Sequence, residues 1–366
     1  MEQAQFWLSP DTLVGGRYRL EKVLGVGGYG ITYRGLDIRL ERPVAVKEYY
    51  PSFWASRFAE RGPEVHCMVG MEENYCKGIE RFLEEAKTLV QLSNVSGVVR
   101  VNDFFEENKT AYLVMDFLDG KNLKQMAEGF GGRIPADVLI PVLAPVISAL
   151  RQVHAKGLIH RDISPDNIMM LSDGSVRLID FGNARDTTNN KSMTLAMKEG
   201  FAAPEQYRSR GQGTWTDVYG ICATIYYCLT GKLPPQAMER LMGAPFPLPS
   251  ELGVEIPSWQ EQAIMDGLDL YVQKRIQNME ELWQRLYVEP QEEKAQSVPT
   301  QVRSSGEHQN QKEDLEHTSV NPASVERDGG GAASEYQLTN MEKMVLMGMQ
   351  RIRNICSDIY HKMKEL

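Results

Sequence analysis

A chain of 366 residues with 42% hydrophobic and 24% charged side chains has an ordinary globular composition, long enough for one large domain or two medium ones. Its formal net charge of -9 excludes a dominant nucleic-acid surface, because a phosphate backbone is met by a basic stripe. The cysteines Cys67, Cys76, Cys222, Cys228 and Cys356 form no Cys-x-x-Cys pair, so neither a zinc site nor a disulfide framework is indicated.

Residues 1–19 show no basic start followed by an apolar run, so no signal peptide is expected. No stretch is expected to reach the roughly 18–20 apolar residues that span a bilayer, which predicts a soluble, cytoplasmic protein with reduced thiols. From Arg17 the pattern is strand-like: Arg17-Tyr18-Arg19-Leu20 and Ile31-Thr32-Tyr33-Arg34 alternate, and Val44-Ala45-Val46-Lys47 reads as a short buried strand. Apolar residues at Ile79, Phe82, Leu83, Ala86, Leu89 and Val90 predict a helix over 79–92. Tyr112-Leu113-Val114-Met115 is another strand, and beyond Asn122 helical spacing takes over, as in 138–153 and 218–229. The expected fold is therefore α+β, a small sheet-rich lobe followed by a larger helical one. The chain turns polar over 288–334, too poor in apolar residues to offset its ordering entropy, and reads as a disordered linker. An amphipathic helix is predicted over 335–366.

Gly25-Val26-Gly27-Gly28-Tyr29-Gly30 lies between two strand-like runs. Glycines allow tight turns and close approach of backbone N–H groups to phosphate oxygens. A dinucleotide fingerprint opens a helix, whereas a strand follows here, so a strand-loop-strand flap is the better geometry. Lys47 sits in an apolar strand and needs a counter-charge. The 79–92 helix offers Glu84 and Glu85, of which Glu85 is better placed to face a cleft. His160-Arg161-Asp162-Ile163-Ser164-Pro165-Asp166-Asn167 puts a carboxylate and a carboxamide on one loop. The first can orient an incoming hydroxyl, and the second offers a hard oxygen to magnesium. Val176-Arg177-Leu178-Ile179 then ends in Asp180-Phe181-Gly182, an Asp at a strand end that can bridge metal and phosphate.

This ordered set, closed by Ala203-Pro204-Glu205, resembles the protein kinase signature over residues 17–287. It is most similar to bacterial, eukaryotic-like serine/threonine kinases through Val46-Lys47-Glu48-Tyr49-Tyr50-Pro51 and Asn108-Lys109-Thr110-Ala111-Tyr112-Leu113-Val114-Met115-Asp116. The resemblance implies a bilobal fold (small lobe about 17–115, large lobe about 119–287), ATP and Mg2+ as cofactors, and protein substrates. It implies that Lys47 holds phosphates and pairs with Glu85, that Asp162 orients the acceptor, and that Asn167 and Asp180 bind magnesium. Leu24, Gly25, Val26, Gly27, Gly28, Tyr29, Gly30, Ile31 and Thr32 would cover the nucleotide. Ala45 and Met169 would sandwich adenine, with Met115 as gatekeeper and the backbone of Asp116 to Leu118 on the adenine edge.

Two positions depart from the family pattern. Ser164 stands where such kinases usually carry a lysine that contacts the γ-phosphate, and Thr32 replaces a valine above adenine. The missing lysine either lowers activity or is compensated by another basic group. Arg161 resembles the arginine of kinases controlled by phosphorylation of the 180–205 segment, where Thr187, Thr188, Ser192 and Thr194 are candidates. Asp217 and the pair Glu205 with Arg275 are expected to be architectural. Leu338, Met341, Val345, Met349, Ile352, Ile355, Ile359, Met363 and Leu366 form a stripe that suits self-association, partner docking or folding back onto the core. Alternatives to an active protein kinase are a nucleotide-binding pseudokinase scaffold, which Ser164 favours, and a small-molecule phosphotransferase, which Ala203-Pro204-Glu205 opposes.

Overall fold

Side chains that alternate along a strand must sort to opposite faces of a sheet, and the first lobe is built on that sorting. A computed structural model describes residues 6–58, 62–181, 198–208 and 211–290, together with the backbone of Arg185–Asp186. Its main sheet contains β1 (Tyr18–Val26), β2 (Gly30–Asp37), β3 (Arg42–Tyr49), β4 (Val101–Glu107) and β5 (Thr110–Asp116). All pairings are antiparallel, in the order Leu13–Val14, β1, β2, β3, β5, β4. Tyr18, Leu20, Ile31, Tyr33, Val44 and Val46 form the packed face, and the core continues N-terminal of Arg17 to Leu8 and Val14.

Helix α1 (Glu72–Gln91) lies against this sheet and starts earlier than the predicted Ile79. Its first turn carries Glu72 and Glu73, which suit the positive end of the helix dipole. Tyr75, Phe82, Ala86 and Leu89 are its buried stripe. Close approach to β3 depends on Gly78, where a Cβ would fall 1.8 Å from the Tyr49 hydroxyl.

The second lobe is helical, with α2 (Leu123–Gly129), α3 (Ala136–Ala155), α4 (Thr214–Thr230), α5 (Ala237–Leu241), α6 (Ser258–Gly267) and α7 (Met279–Tyr287). A reciprocal capping box between Asn122 and Gln125 starts α2, and Gly231 at φ 69° ends α4 in the left-handed conformation that glycine tolerates. Facing the cleft is a small antiparallel sheet of β6 (Gly120–Asn122), β7 (Ile168–Leu171) and β8 (Val176–Leu178), with β7 central.

One sequence expectation needs correction. Helix α3 is long and apolar enough to cross a membrane by length and composition. It instead packs against α4 and α7, burying Leu139, Leu143, Ile147, Leu150 and Val153 in the large-lobe core. An all-round apolar helix suits either setting, and only its neighbours decide. Cys67, Cys76, Cys222 and Cys228 are free thiols. Cys356, most of the 288–334 stretch and the helix expected over 335–366 lie outside the described residues.

Candidate active site

The glycine turn joins β1 to β2. Its glycine-rich tip is closed by the Gly27 N–H donating to the Gly30 carbonyl at 2.8 Å. Gly30 has no room for a side chain, because a Cβ would sit 2.7 Å from the Glu48 carbonyl oxygen. The turn is tied to the stretch after β3: Tyr50 N–H donates to Tyr29 O at 3.0 Å, and Ser52 N–H to Gly28 O at 3.1 Å. The Tyr29 ring meets Trp54 edge-on at 6.1 Å. Leu24, Val26 and Tyr29 are exposed around the turn.

Register then divides the remaining expected cleft residues. Thr32 pairs with Lys47, Ala45 with Met115, and Lys47 with Leu113, which sets Thr32, Ala45, Lys47 and Met115 on one sheet face. Ile31 pairs with Glu48 on the other face and is fully buried, so it packs in the lobe core and not in the cleft. Below, Met169 is half-buried on β7 opposite Asn122. Asp116 closes β5; its N–H donates to the Arg100 carbonyl at 3.0 Å, and the half-buried Leu118 follows in the connection between lobes.

Lys47 bridges the two lobes. Its Nζ lies 3.2 Å from Glu85 Oε1 on α1 and 2.9 Å from Asp180 Oδ1. Burial works against the ammonium, but the carboxylates of Asp180 and Glu85 outweigh it and hold the Lys47 pKa above the ordinary lysine value. Burial pushes the Glu85 carboxyl up, against the pull of Lys47. Helical spacing had favoured Glu85 over Glu84, and Glu85 is the one that meets the lysine.

The catalytic-loop candidates are suspended from a buried carboxylate. Asp217 on α4 accepts from His160 N–H (Oδ2) and Arg161 N–H (Oδ1), each at 2.8 Å, and its Oδ2 is 2.7 Å from His154 Nε2. Burial alone would raise its pKa; the hydrogen bond from His154 and the nearby histidines reverse that and keep it below the ordinary value. Arg161 at φ 68° and Asp180 at φ 61° both hold left-handed backbone that costs a non-glycine residue energy. His160 stacks edge-on with the fully buried Phe181 at 4.4 Å, joining the two loops.

Asn167 Nδ2 donates to the Asp162 carbonyl at 2.8 Å, which reserves its Oδ1 for another partner. Burial raises the Asp162 carboxyl pKa, partly opposed by His160 and Lys198 and reinforced by Asp180. Among the described residues no three His, Cys, Asp or Glu cluster as a metal cage. Asp180 and Asn167 are hard oxygen donors on adjoining loops, a sparse set that fits magnesium completed by water and phosphate oxygens.

Several contributors escaped the sequence reading. Lys198 Nζ donates to Ser164 Oγ at 2.9 Å and pairs with Asp166. Gln206 Nε2 donates to the Arg161 carbonyl at 2.8 Å; beside it the expected pair forms, with the Arg275 guanidinium 2.7 Å from Glu205 and both partners buried. A signal for Lys198 was available: a lysine shortly before Ala203-Pro204-Glu205 accompanies a serine where a lysine was expected. Gly182, Thr187, Thr188, Ser192 and Thr194 lie outside the described residues.

The protein kinase domain family matches residues 18–244. This chain belongs to the protein kinase family. The serine/threonine-protein kinase PknL of Mycobacterium tuberculosis is 33% identical over 261 residues, which cover 70% of this chain and 59% of that protein. PknA of the same organism is 33% identical over 252 residues, covering 65% of this chain and 54% of PknA. A probable serine/threonine-protein kinase of Clostridium acetobutylicum is 28% identical over 319 residues, covering 82% of this chain and 45% of the relative. This kinase-family chain thus spans about three-fifths or less of the length of these relatives. A solved structure described as PpkA-294 apo form superposes with a TM-score of 0.69 at 30% identity, covering 77% of this chain and all of that one.

Proposed function

We propose that the protein is an ATP-dependent serine/threonine protein kinase whose catalytic unit spans about 17–287. The observation that carries this reading is Lys47, held between Glu85 at 3.2 Å and Asp180 at 2.9 Å, so that strand β3, helix α1 and the candidate metal-site loop converge on one ammonium. In this reading Lys47 holds the α- and β-phosphates beneath the turn formed by Gly25, Gly27, Gly28 and Gly30. Leu24, Val26, Tyr29 and Thr32 cover the nucleotide, and Ala45, Met115 and Met169 enclose the adenine. With the Asp116 N–H directed to Arg100, the adenine edge is met by the Asp116 carbonyl and by amides further along to Leu118.

Asn167 and Asp180 would hold Mg2+, which neutralises phosphate charge when bound. Asp162 accepts a hydrogen bond from the substrate hydroxyl and orients it towards the phosphate. Phosphoryl transfer depends on positioning and charge neutralisation, and each of these groups supplies one of them. Protein substrates and autophosphorylation within Thr187, Thr188, Ser192 and Thr194 belong to the same proposal, as do a linker over 288–334 and a docking or self-association helix over 335–366.

The decisive experiment incubates the chain and Asp162→Asn with labelled ATP, magnesium and a protein acceptor. Transfer by the wild type and loss of at least about 100-fold in the variant, with nucleotide binding retained, is expected. ATP binding without any transfer by the wild type would replace the enzyme with a nucleotide-binding scaffold.

A further inference from the structure

Ser164 removes a positive charge from the acceptor side of the cleft, and the fold returns one from a different part of the chain. Lys198 lies in the segment leading to Ala203-Pro204-Glu205, yet its Nζ donates to Ser164 Oγ at 2.9 Å. Its second contact is an ion pair with Asp166, and both side chains keep about a third of their surface exposed at 35%. Ser164 is fully buried, so the ammonium closes over it at the mouth of the loop that carries Asp162. An ammonium has three donors, and these two contacts occupy two of them.

The position of that ammonium is fixed from both sides. The Lys198 carbonyl accepts from Phe201 N–H and Ala202 N–H, both at 3.1 Å. Ala203 N–H donates to Gln206 Oε1 at 2.9 Å, and Gln206 Nε2 donates to the Arg161 carbonyl at 2.8 Å. Glu205 is anchored to Arg275 at 2.7 Å. The segment holding Lys198 is therefore laced to the residue next to Asp162. Its charge is felt there too, since Lys198 draws the Asp162 pKa down against the effect of burial.

We propose that Lys198 is a catalytic residue, the cation that neutralises the transferred phosphate beside Asp162, exchanged with Ser164 between catalytic loop and activation segment. The inference rests on the kinase reading and deepens it. Because the charge travels on the segment and not on the loop, the site is complete only while that segment is docked against Arg161.

The test uses the full chain with Lys198→Thr, Ser164→Lys, the double exchange S164K/K198T, and Asp166→Asn. Two quantities are measured, phosphate transfer to casein and equilibrium binding of MgATP beside MgADP. Lys198→Thr is expected to lower kcat on the order of 100-fold and to weaken MgATP while sparing MgADP. The double exchange is expected to recover most of both, because it restores a lysine to the loop. A lysine that only ties the segment to Asp166 predicts otherwise: Asp166→Asn would match Lys198→Thr, the ATP-over-ADP preference would not move, and the exchange would rescue nothing. Any of those three results overturns the proposal. Absence of transfer by the wild type would sink the kinase reading, while the nucleotide preference would still decide Lys198.

Discussion

At the residue scale, Lys47 and its sequence neighbour Glu48 serve opposite faces of β3. Lys47 looks into the cleft, whereas Glu48 is fully buried beneath the stretch that follows β3. Its carboxylate pairs with the Arg57 guanidinium and accepts from Tyr33 Oη at 2.8 Å and Tyr112 Oη at 2.9 Å. A carboxylate and guanidinium taken from water together are tolerable only when each satisfies the other. Glu48→Ala should therefore cost on the order of 3–5 kcal/mol by stranding the Arg57 charge and two hydroxyls. Urea unfolding would show it as a lowered midpoint, and E48L/R57M should be milder than the single change. Equal losses in both variants would mean that shape, and not stranded charge, dominates. The sequence showed Glu48 only as part of a family-like stretch, because its partners Arg57 and Tyr112 come from other segments.

Among the elements, the glycine turn is the informative case. Flaps over phosphates are usually read as free loops, yet here backbone bonds from Tyr50 and Ser52 hold Tyr29 and Gly28. The flap and the stretch that follows β3 are therefore held together by backbone bonds. Gly30 is where the fit is tightest: Gly30→Ala pushes a Cβ to 2.7 Å from the Glu48 carbonyl, a backbone atom that cannot swing aside. A penalty of about 1–3 kcal/mol is expected, read as a lower melting temperature with weaker nucleotide binding. Gly27→Ala is the control for stability, since its Cβ would meet only the Gly30 carbonyl at an ordinary 3.7 Å. Indistinguishable melting of the two variants would contradict this packing. Glycine spacing made the turn visible in the sequence, but what pins it was not, because those bonds are backbone to backbone and carry no side-chain signature.

At the scale of the whole molecule, Lys47 is the clasp between lobes and Asp217 the anchor of the lower one. The Glu85–Lys47–Asp180 chain runs from α1 to the loop after β8, so a ligand that neutralises Asp180 should tighten both lobes together. Saturating MgATP at about 100 times its dissociation constant should stabilise the fold by about 2.7 kcal/mol. Removal of magnesium by chelation should cut the melting-temperature gain, and Asp180→Asn should make the gain insensitive to magnesium. A gain in the variant that still depends on magnesium would move the metal site away from Asp180.

The sequence by itself pointed to the family by resemblance, to the order of a sheet-rich and then a helical lobe, and to Lys47, Glu85, Asp162, Asn167 and Asp180 as site candidates. Those residues are fixed by short-range spacing: strand alternation places Lys47, helical periodicity picks Glu85 over Glu84, and the two loops keep their motifs intact. Tertiary structure alone decided matters that rest on distant pairs. It placed Ile31 in the core through its register with Glu48, and it turned the apolar α3 into a buried helix by packing α4 and α7 around it. It also set Lys198 on Ser164, a contact between residues far apart in the chain. Local pattern reports which face a residue takes, but only the folded chain reports what stands opposite it.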